Sequence, residues 1–226
     1  MDRRERVSLP WLSRRSFCSA RCSPGCWGCV VPDVAALYID PCGPYPALLG
    51  TDACWPKERD AKLYAGPHPI VAHPDCGPWS KLRHMCSKQD RTCGPVAVEQ
   101  VRKYRGVLEH PEHSALFSEL ELPKPEGRSK SVGFDSWGGR TYQVDQCDWG
   151  HRCRKPTWLY VVAPFAVHDW LFRRLNWQRG TGTPTHCVCT GPRQSQRLPV
   201  ATKAVKRQTP EPFARLLIEI ARRCAA

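Results

Sequence analysis

Two short apolar runs in this chain stop at nearly the same punctuation, and this pairing of a brief run with a hard loop constrains the fold more than any other feature. Ala36-Leu37-Tyr38-Ile39 ends at Asp40-Pro41-Cys42-Gly43-Pro44, and Pro69-Ile70-Val71-Ala72-His73 ends at Pro74-Asp75-Cys76-Gly77-Pro78. Apolar runs this short, bounded by Pro and Gly, suit buried strands better than helices. After the second loop, Gly94 and Pro95 mark a helix start, since proline is favoured in a first turn. Ala97, Val98, Val101 and Tyr104 then share one face at helical spacing, and Gly106 suits the helix end. Val107-Leu108-Glu109-His110 follows directly as another short strand. Strand, loop, helix, strand is a βαβ crossover, which predicts an α/β domain with a mostly parallel sheet.

Further along, residues 123–140 are rich in Pro, Gly, Ser and charge and read as a surface loop. Thr157–Ala163 (TWLYVVA) is a strongly apolar strand, Ala166–Leu175 a short helix, and 178–208 an irregular basic stretch. The closing helix is the clearest. Thr209 can cap it and Pro210 can open it, Phe213, Leu216, Leu217, Ile220, Ala221 and Cys224 share a face, and Arg222 and Arg223 oppose the dipole in the last turn. The chain therefore divides into a basic, Cys-rich and poorly ordered leader over 1–33 and one α/β domain over 34–226.

No apolar run reaches the roughly 18 to 20 residues a membrane helix requires, so no membrane association is expected. The Arg-rich start lacks an apolar core behind it, which argues against a secretory signal and for a cytoplasmic protein. Lys and Arg outnumber Asp and Glu by 34 to 21, a formal charge of +13. Such a surface favours polyanions, nucleic acid first among them, although charge alone suits a basic protein without that role equally well. The 14 cysteines are expected to be reduced in a cytosolic setting. Cys18, Cys22, Cys26 and Cys29 are close enough to hold zinc through four thiolates, but their C-x3-C-x3-C-x2-C spacing lacks two separated C-x2-C pairs. A flexible leader explains them as well. His73, His110 and His151 with Cys76, Cys147 or Cys153 are competent metal ligands without compact ligand spacing.

The reactive candidate is Cys76, on a loop where a parallel strand ends, the place α/β sheets put chemistry. The segment Pro74-Asp75-Cys76-Gly77-Pro78-Trp79-Ser80 resembles the Pro-Pro-Cys-Gln-x-Phe-Ser loop of DNA cytosine-5 methyltransferases. Asp75 and Gly77 depart from it. In the family's order, Val107-Leu108-Glu109-His110-Pro111 resembles the Glu-Asn-Val strand. Asp148-Trp149-Gly150-His151-Arg152-Cys153-Arg154-Lys155-Pro156-Thr157 resembles the Asp-Tyr-Gly segment and its arginines. The resemblance implies a Rossmann-like methyltransferase fold and a compact, phage-like enzyme that takes a methyl group from S-adenosylmethionine and places it on cytosine in DNA. Cys76 is then the nucleophile, Glu109 the acid against ring nitrogen 3, and Arg154 a base contact. Ser80, Trp79, His151 and Lys155 fall among the substrate-binding positions, and Asp40, Pro74 and Asp52 among the cofactor-binding ones, with Glu58 another acid within reach. Thr157 stands where the family has a second arginine. The loop at Asp40–Tyr45 lacks the family's Phe-x-Gly-x-Gly, and no separate target-recognition domain fits between Val162 and the last helix, so a protein partner for target recognition is a further expectation. Three other functions stay open on these residues: a degenerate methyltransferase-fold protein that only binds nucleic acid, a base-modifying enzyme with another donor, and a zinc-stabilised nucleic-acid-binding module centred on the N-terminal thiols.

Overall fold

The computed structural model describes residues 33–81, 83–87, 91–125, 133–175, 181–188 and 198–225. Cys18, Cys22, Cys26 and Cys29, and all of the leader before residue 33, lie outside them. In chain order the elements are β1 (Ala35–Ile39), α1 (Tyr45–Leu49), β2 (Cys54–Pro56), β3 (Ile70–Ala72), α2 (Cys93–Tyr104), β4 (Gly106–Pro111), α3 (Ala115–Glu119), β5 (Gly139–Asp145), β6 (Pro156–Val162), α4 (Phe165–Leu175), α5 (Lys203–Arg207) and α6 (Glu211–Cys224), with single 3-10 turns between several of them. The strands form one sheet in the order β2-β1-β3-β4-β6-β5. β2, β1, β3 and β4 run parallel. β6 runs against both β4 and β5. The domain is thus a mixed α/β fold with a mostly parallel sheet, compatible with a Rossmann-like arrangement.

Alternation along the strands explains the two cores. Val71, Val107, Leu159 and Val161 point to one face, under α4 and α6, with Phe213, Leu217 and Ile220 packed on them. Ile70, Ala72, Leu108, Trp158 and Tyr160 point to the other, under α2 and α3, against Val98, Val101, Leu116 and Phe117. Both faces are covered, which is why β3 and β4 read as unbroken apolar runs. α6 buries every residue of its expected stripe. At about 1.5–3 kcal/mol for each large side chain removed from water, that stripe is a main anchor of the sheet. The cap of this helix differs from expectation: Pro210 occupies the N-cap in extended geometry, with no side-chain cap from Thr209, and Pro212 lies in the first turn.

Gly106 sets the approach of β4 to β3. Its φ of +124° is open to glycine, and a Cβ there would stand 2.0 Å from the Ile70 carbonyl oxygen. Two strands were missed by periodicity. β2 is only three residues long. β5 begins at Gly139, inside the expected surface loop, and mixes half-buried Arg140 and Gln143 with buried Thr141, Tyr142 and Val144 without a period of two, at the edge of the sheet. The basic stretch expected to be irregular carries the short helix α5 and a bridge between Cys187 and Val200. No described helix is long and apolar enough to cross a membrane.

Candidate functional site

Every parallel strand finishes at one rim of the sheet, and β6, running the other way, starts there. The loop after β3, the far half of β4 and the turn joining β5 to β6 therefore open together. The first of these carries Cys76. Asp75 Oδ1 accepts from the Gly77 amide at 3.0 Å, and the Cys76 carbonyl accepts from the amides of Trp79 (3.1 Å) and Ser80 (2.9 Å), closing a 3-10 turn. Ser80 Oγ donates to the Gly77 carbonyl at 3.3 Å. Trp79 is buried in the core beneath, with the Arg91 guanidinium 4.1 Å above its ring. The expectation that Trp79 meets a substrate is corrected: it is the anchor that holds the loop down, and Cys76 is left exposed at its crest.

Glu109 lies on β4, buried, with donors on both carboxylate oxygens. His73 Nδ1 is 3.1 Å from Oε2, and Gln146 Nε2 donates to Oε1 at 2.7 Å. Behind His73, the Tyr45 hydroxyl is 2.6 Å from Nε2. Burial, with Glu109 and Cys54 adding to it, raises the Tyr45 phenol well above its ordinary range. The phenol therefore keeps its proton and donates it to Nε2, so His73 meets Glu109 through an Nδ1 hydrogen. Thr157 Oγ1 accepts from Gln146 Nε2 at 3.1 Å and donates to the Lys155 carbonyl at 2.9 Å. Thr157, at the family's arginine position, is thus a buried brace for this network.

Charge follows from the same geometry. Burial alone would keep Glu109 protonated and is the largest influence on it. Lys155, His73 and His110 together outweigh it and bring the carboxyl down to about 2. For Cys76 the surrounding protein, then Glu109 and Asp75, push the thiol up to about 11, against the pull of Lys155. The residue is open to water on its outer side, so solvent screens the part of that shift owed to the carboxylates. The lowered thiol expected of a nucleophile is absent from the resting site, and the proton expected on Glu109 is absent as well. His110, on the opposite face of β4, is fully buried, has no hydrogen-bond partner among the described residues, and is pushed down to about 4 by burial.

The remaining expected residues divide between rim and scaffold. Arg154 is exposed at the rim, 3.6 Å from Asp145. Lys155 is half-buried, its amide donating to Asp145 Oδ1 at 2.9 Å, and its charge acts on both Glu109 and Cys76. His151 is corrected from substrate contact to scaffold. It is buried, Nδ1 accepts from the Cys153 amide at 3.0 Å, and Nε2 donates to the Val205 carbonyl at 3.1 Å, tying the β5–β6 turn to α5.

Beside the rim, past the ends of β1 and β2, lies a cleft of about 440 Å3 lined by apolar Ile39, Pro41, Pro46 and Pro56 together with Glu58 and Arg59. Asp40 turns away from a ligand-binding role: its Oδ1 accepts from the Cys42 amide at 2.9 Å and closes its own loop. Asp52 is exposed, and its carbonyl receives Arg59 Nη1 at 2.7 Å. Pro74 is buried in the Cys76 loop, away from the residues that line the cleft. The acid in the cleft is Glu58.

Tyr45 and Gln146 gave no signal in the sequence, because neither stands in a recognisable spacing with Glu109; the fold brings Gln146 to Glu109 and Tyr45 to His73 behind it. Among the described residues no three His, Cys, Asp or Glu side chains are grouped to hold a metal. The chain matches no protein-family model, no characterised protein and no solved structure.

Proposed function

We propose that this protein is a cytosine-5 methyltransferase acting on DNA, with Cys76 as nucleophile and Glu109 as its partner at ring nitrogen 3. The observation that supports this most is convergence: three segments distant in sequence place Cys76, Glu109 and Lys155 at one rim, close enough that both charges act on the thiol. The adjoining cleft falls within the range of ligand pockets and combines apolar walls with a carboxylate, Glu58, and a guanidinium, Arg59; in this reading it takes S-adenosylmethionine. In this reading Glu58 takes ribose hydroxyls, and Pro41, Pro46 and Ile39 cover the adenine. The bound cofactor supplies the methyl group.

The chain's own residues account for the proton. At rest it sits on the Cys76 sulfur, and the negative charge sits on Glu109. Attack on carbon 6 requires a thiolate, and the ring that receives its electron pair gains a proton at nitrogen 3. Passing the thiol proton by way of Glu109 to nitrogen 3 satisfies both demands, and the carboxylate ends as it began. Lys155 holds the thiolate while the proton is away. When carbon 5 has been methylated, its hydrogen leaves as a proton to solvent water, the sulfur–carbon bond breaks with its electron pair returning to sulfur, and the proton on nitrogen 3 returns by way of Glu109 to Cys76. His73, Gln146 and Thr157 keep the carboxylate oriented throughout. Exposed Arg152 and Arg154 stand beside the site, where they suit phosphates.

The test is transfer of a labelled methyl group from S-adenosylmethionine to unmethylated DNA. Transfer by the native chain that disappears in Cys76→Ala is the expected result; no native transfer, or transfer that survives the substitution, rejects the assignment. The raised Cys76 thiol favours a second reading, a fold that binds nucleic acid and transfers nothing. DNA binding that weakens steeply with salt, with no methyl transfer and no rise in melting temperature on adding S-adenosylmethionine, is its signature.

A further inference from the structure

Gln146 has hydrogen-bonding capacity that the folded chain leaves unused. Its backbone is fixed from both sides: its amide donates to the Lys155 carbonyl at 3.2 Å, and its carbonyl accepts from the His151 amide at 3.1 Å. The side chain is equally fixed. One Nε2 hydrogen goes to Glu109 Oε1 at 2.7 Å and the other to Thr157 Oγ1 at 3.1 Å. Oε1 is buried and has no partner, in a residue that is 1% exposed. Turning the amide over does not remove the problem, because it would set an oxygen against the Glu109 carboxylate. A buried acceptor left open is costly, so a donor is wanted at this spot. Of the buried polar atoms without partners, this one belongs to the side chain that holds Glu109.

We propose that Gln146 reads the exocyclic amino group of the target base, its Oε1 accepting the N–H while Glu109 meets the neighbouring ring nitrogen. This rests on the reading of the site as one that takes a nucleobase, and it narrows the substrate class to bases with an amino group beside that nitrogen. Cytosine has the required donor. Uracil and thymine bring a carbonyl oxygen to the same place, where two acceptors repel. Gln146 is then a specificity residue, and the β5–β6 turn that carries it is part of the base pocket.

The test uses the full chain without methyl donor and four single-stranded oligonucleotides that differ at one position: cytosine, uracil, 2-pyrimidinone (which lacks the amino group and adds no carbonyl) or an abasic site. Binding is followed by fluorescence anisotropy. Cytosine is expected to bind on the order of five- to a hundredfold tighter than 2-pyrimidinone, the pair that differs in the amino group alone. In Gln146→Leu the ratio falls to near one. Cytosine, uracil and 2-pyrimidinone binding alike, all above the abasic oligonucleotide, overturns the role of Gln146, as an acceptor satisfied only by an ordered water would. It leaves the base-binding reading standing. All four binding alike overturns that reading too. Should Gln146→Leu fail to fold, the comparison of cytosine with 2-pyrimidinone on the native chain decides the matter alone. A Gln146→Leu chain that folds and keeps the native preference also overturns it.

Discussion

The carboxyl of Glu109 offers a direct check on the geometry, and acid stability reads it. Its folded value of about 2 lies below the ordinary 4.5, so the unfolded chain binds this proton first as the pH falls. The stabilising contribution is fully present above about pH 4.5 and is lost as the pH drops toward 2. At about 1.4 kcal/mol per pH unit the gap amounts to about 3 kcal/mol. The perturbation is Glu109→Gln, and the assay is urea unfolding of both chains at intervals from pH 5 to pH 2. Carboxylates elsewhere titrate in both, so the difference between the curves isolates Glu109. The native chain should lose about 3 kcal/mol more than the variant across that window. Parallel curves would refute the argument, because a carboxyl that donors and Lys155 hold ionised cannot be exchanged for an amide without changing the proton balance. His110 supplies an independent slope at higher pH. Its buried ring, held near 4 against an ordinary 6.5, leaves stability intact above pH 6.5 and erodes it as the pH falls toward 4.

Three further outcomes follow from packing and charge. Gly106→Ala places a methyl group 2.0 Å from the Ile70 carbonyl and should cost more than about 3 kcal/mol, read as a large drop in melting temperature. The Cys76 thiol, near 11, should react slowly with iodoacetamide at pH 7.5 and faster as the pH rises to 10, and Glu109→Gln should speed it at every pH; a fast, pH-independent reaction would contradict its surroundings. His151→Leu cuts the tie to the Val205 carbonyl and should expose residues 198–208 to limited proteolysis while β4 and β6 remain protected from hydrogen exchange.

The centre of the sheet was legible because its strands are buried on both faces and the helices that cover it are amphipathic; α2, β4, β6 and α6 all lie within a residue or two of where pattern placed them, whereas the parallel edge strand β2 is too short to carry a pattern. β5 was hidden because an edge strand half-covered by protein mixes Arg140 and Gln143 with its apolar residues, and loop composition just before it masked its start. At the site, Cys76 and Glu109 were visible through a linear motif. The residues that hold the carboxylate were only partly so: Lys155 and His73 were named from the sequence, Tyr45 and Gln146 were not. Tyr45 enters from a short helix after β1 and reaches His73, whose ring meets Glu109, while Gln146 enters from a turn after β5 and reaches Glu109 directly, relations that exist only once the chain has folded and the register of strands is fixed. Trp79 and His151 show the converse error: an aromatic and a histidine near a motif are as easily consumed by anchoring a loop as by meeting a ligand.

The ion pair between Asp33 and Arg222, 2.5 Å long, brings the beginning of the described domain against the end of α6. Both lie at the edge where the parallel strands begin, the side away from Cys76. The two ends could therefore be spliced by a short linker and new ends opened in an exposed loop, giving a permuted chain with the same sheet. A tag or surface tether placed at residue 225 would likewise hold the molecule with its reactive rim facing outward, a practical handle for every binding measurement proposed above.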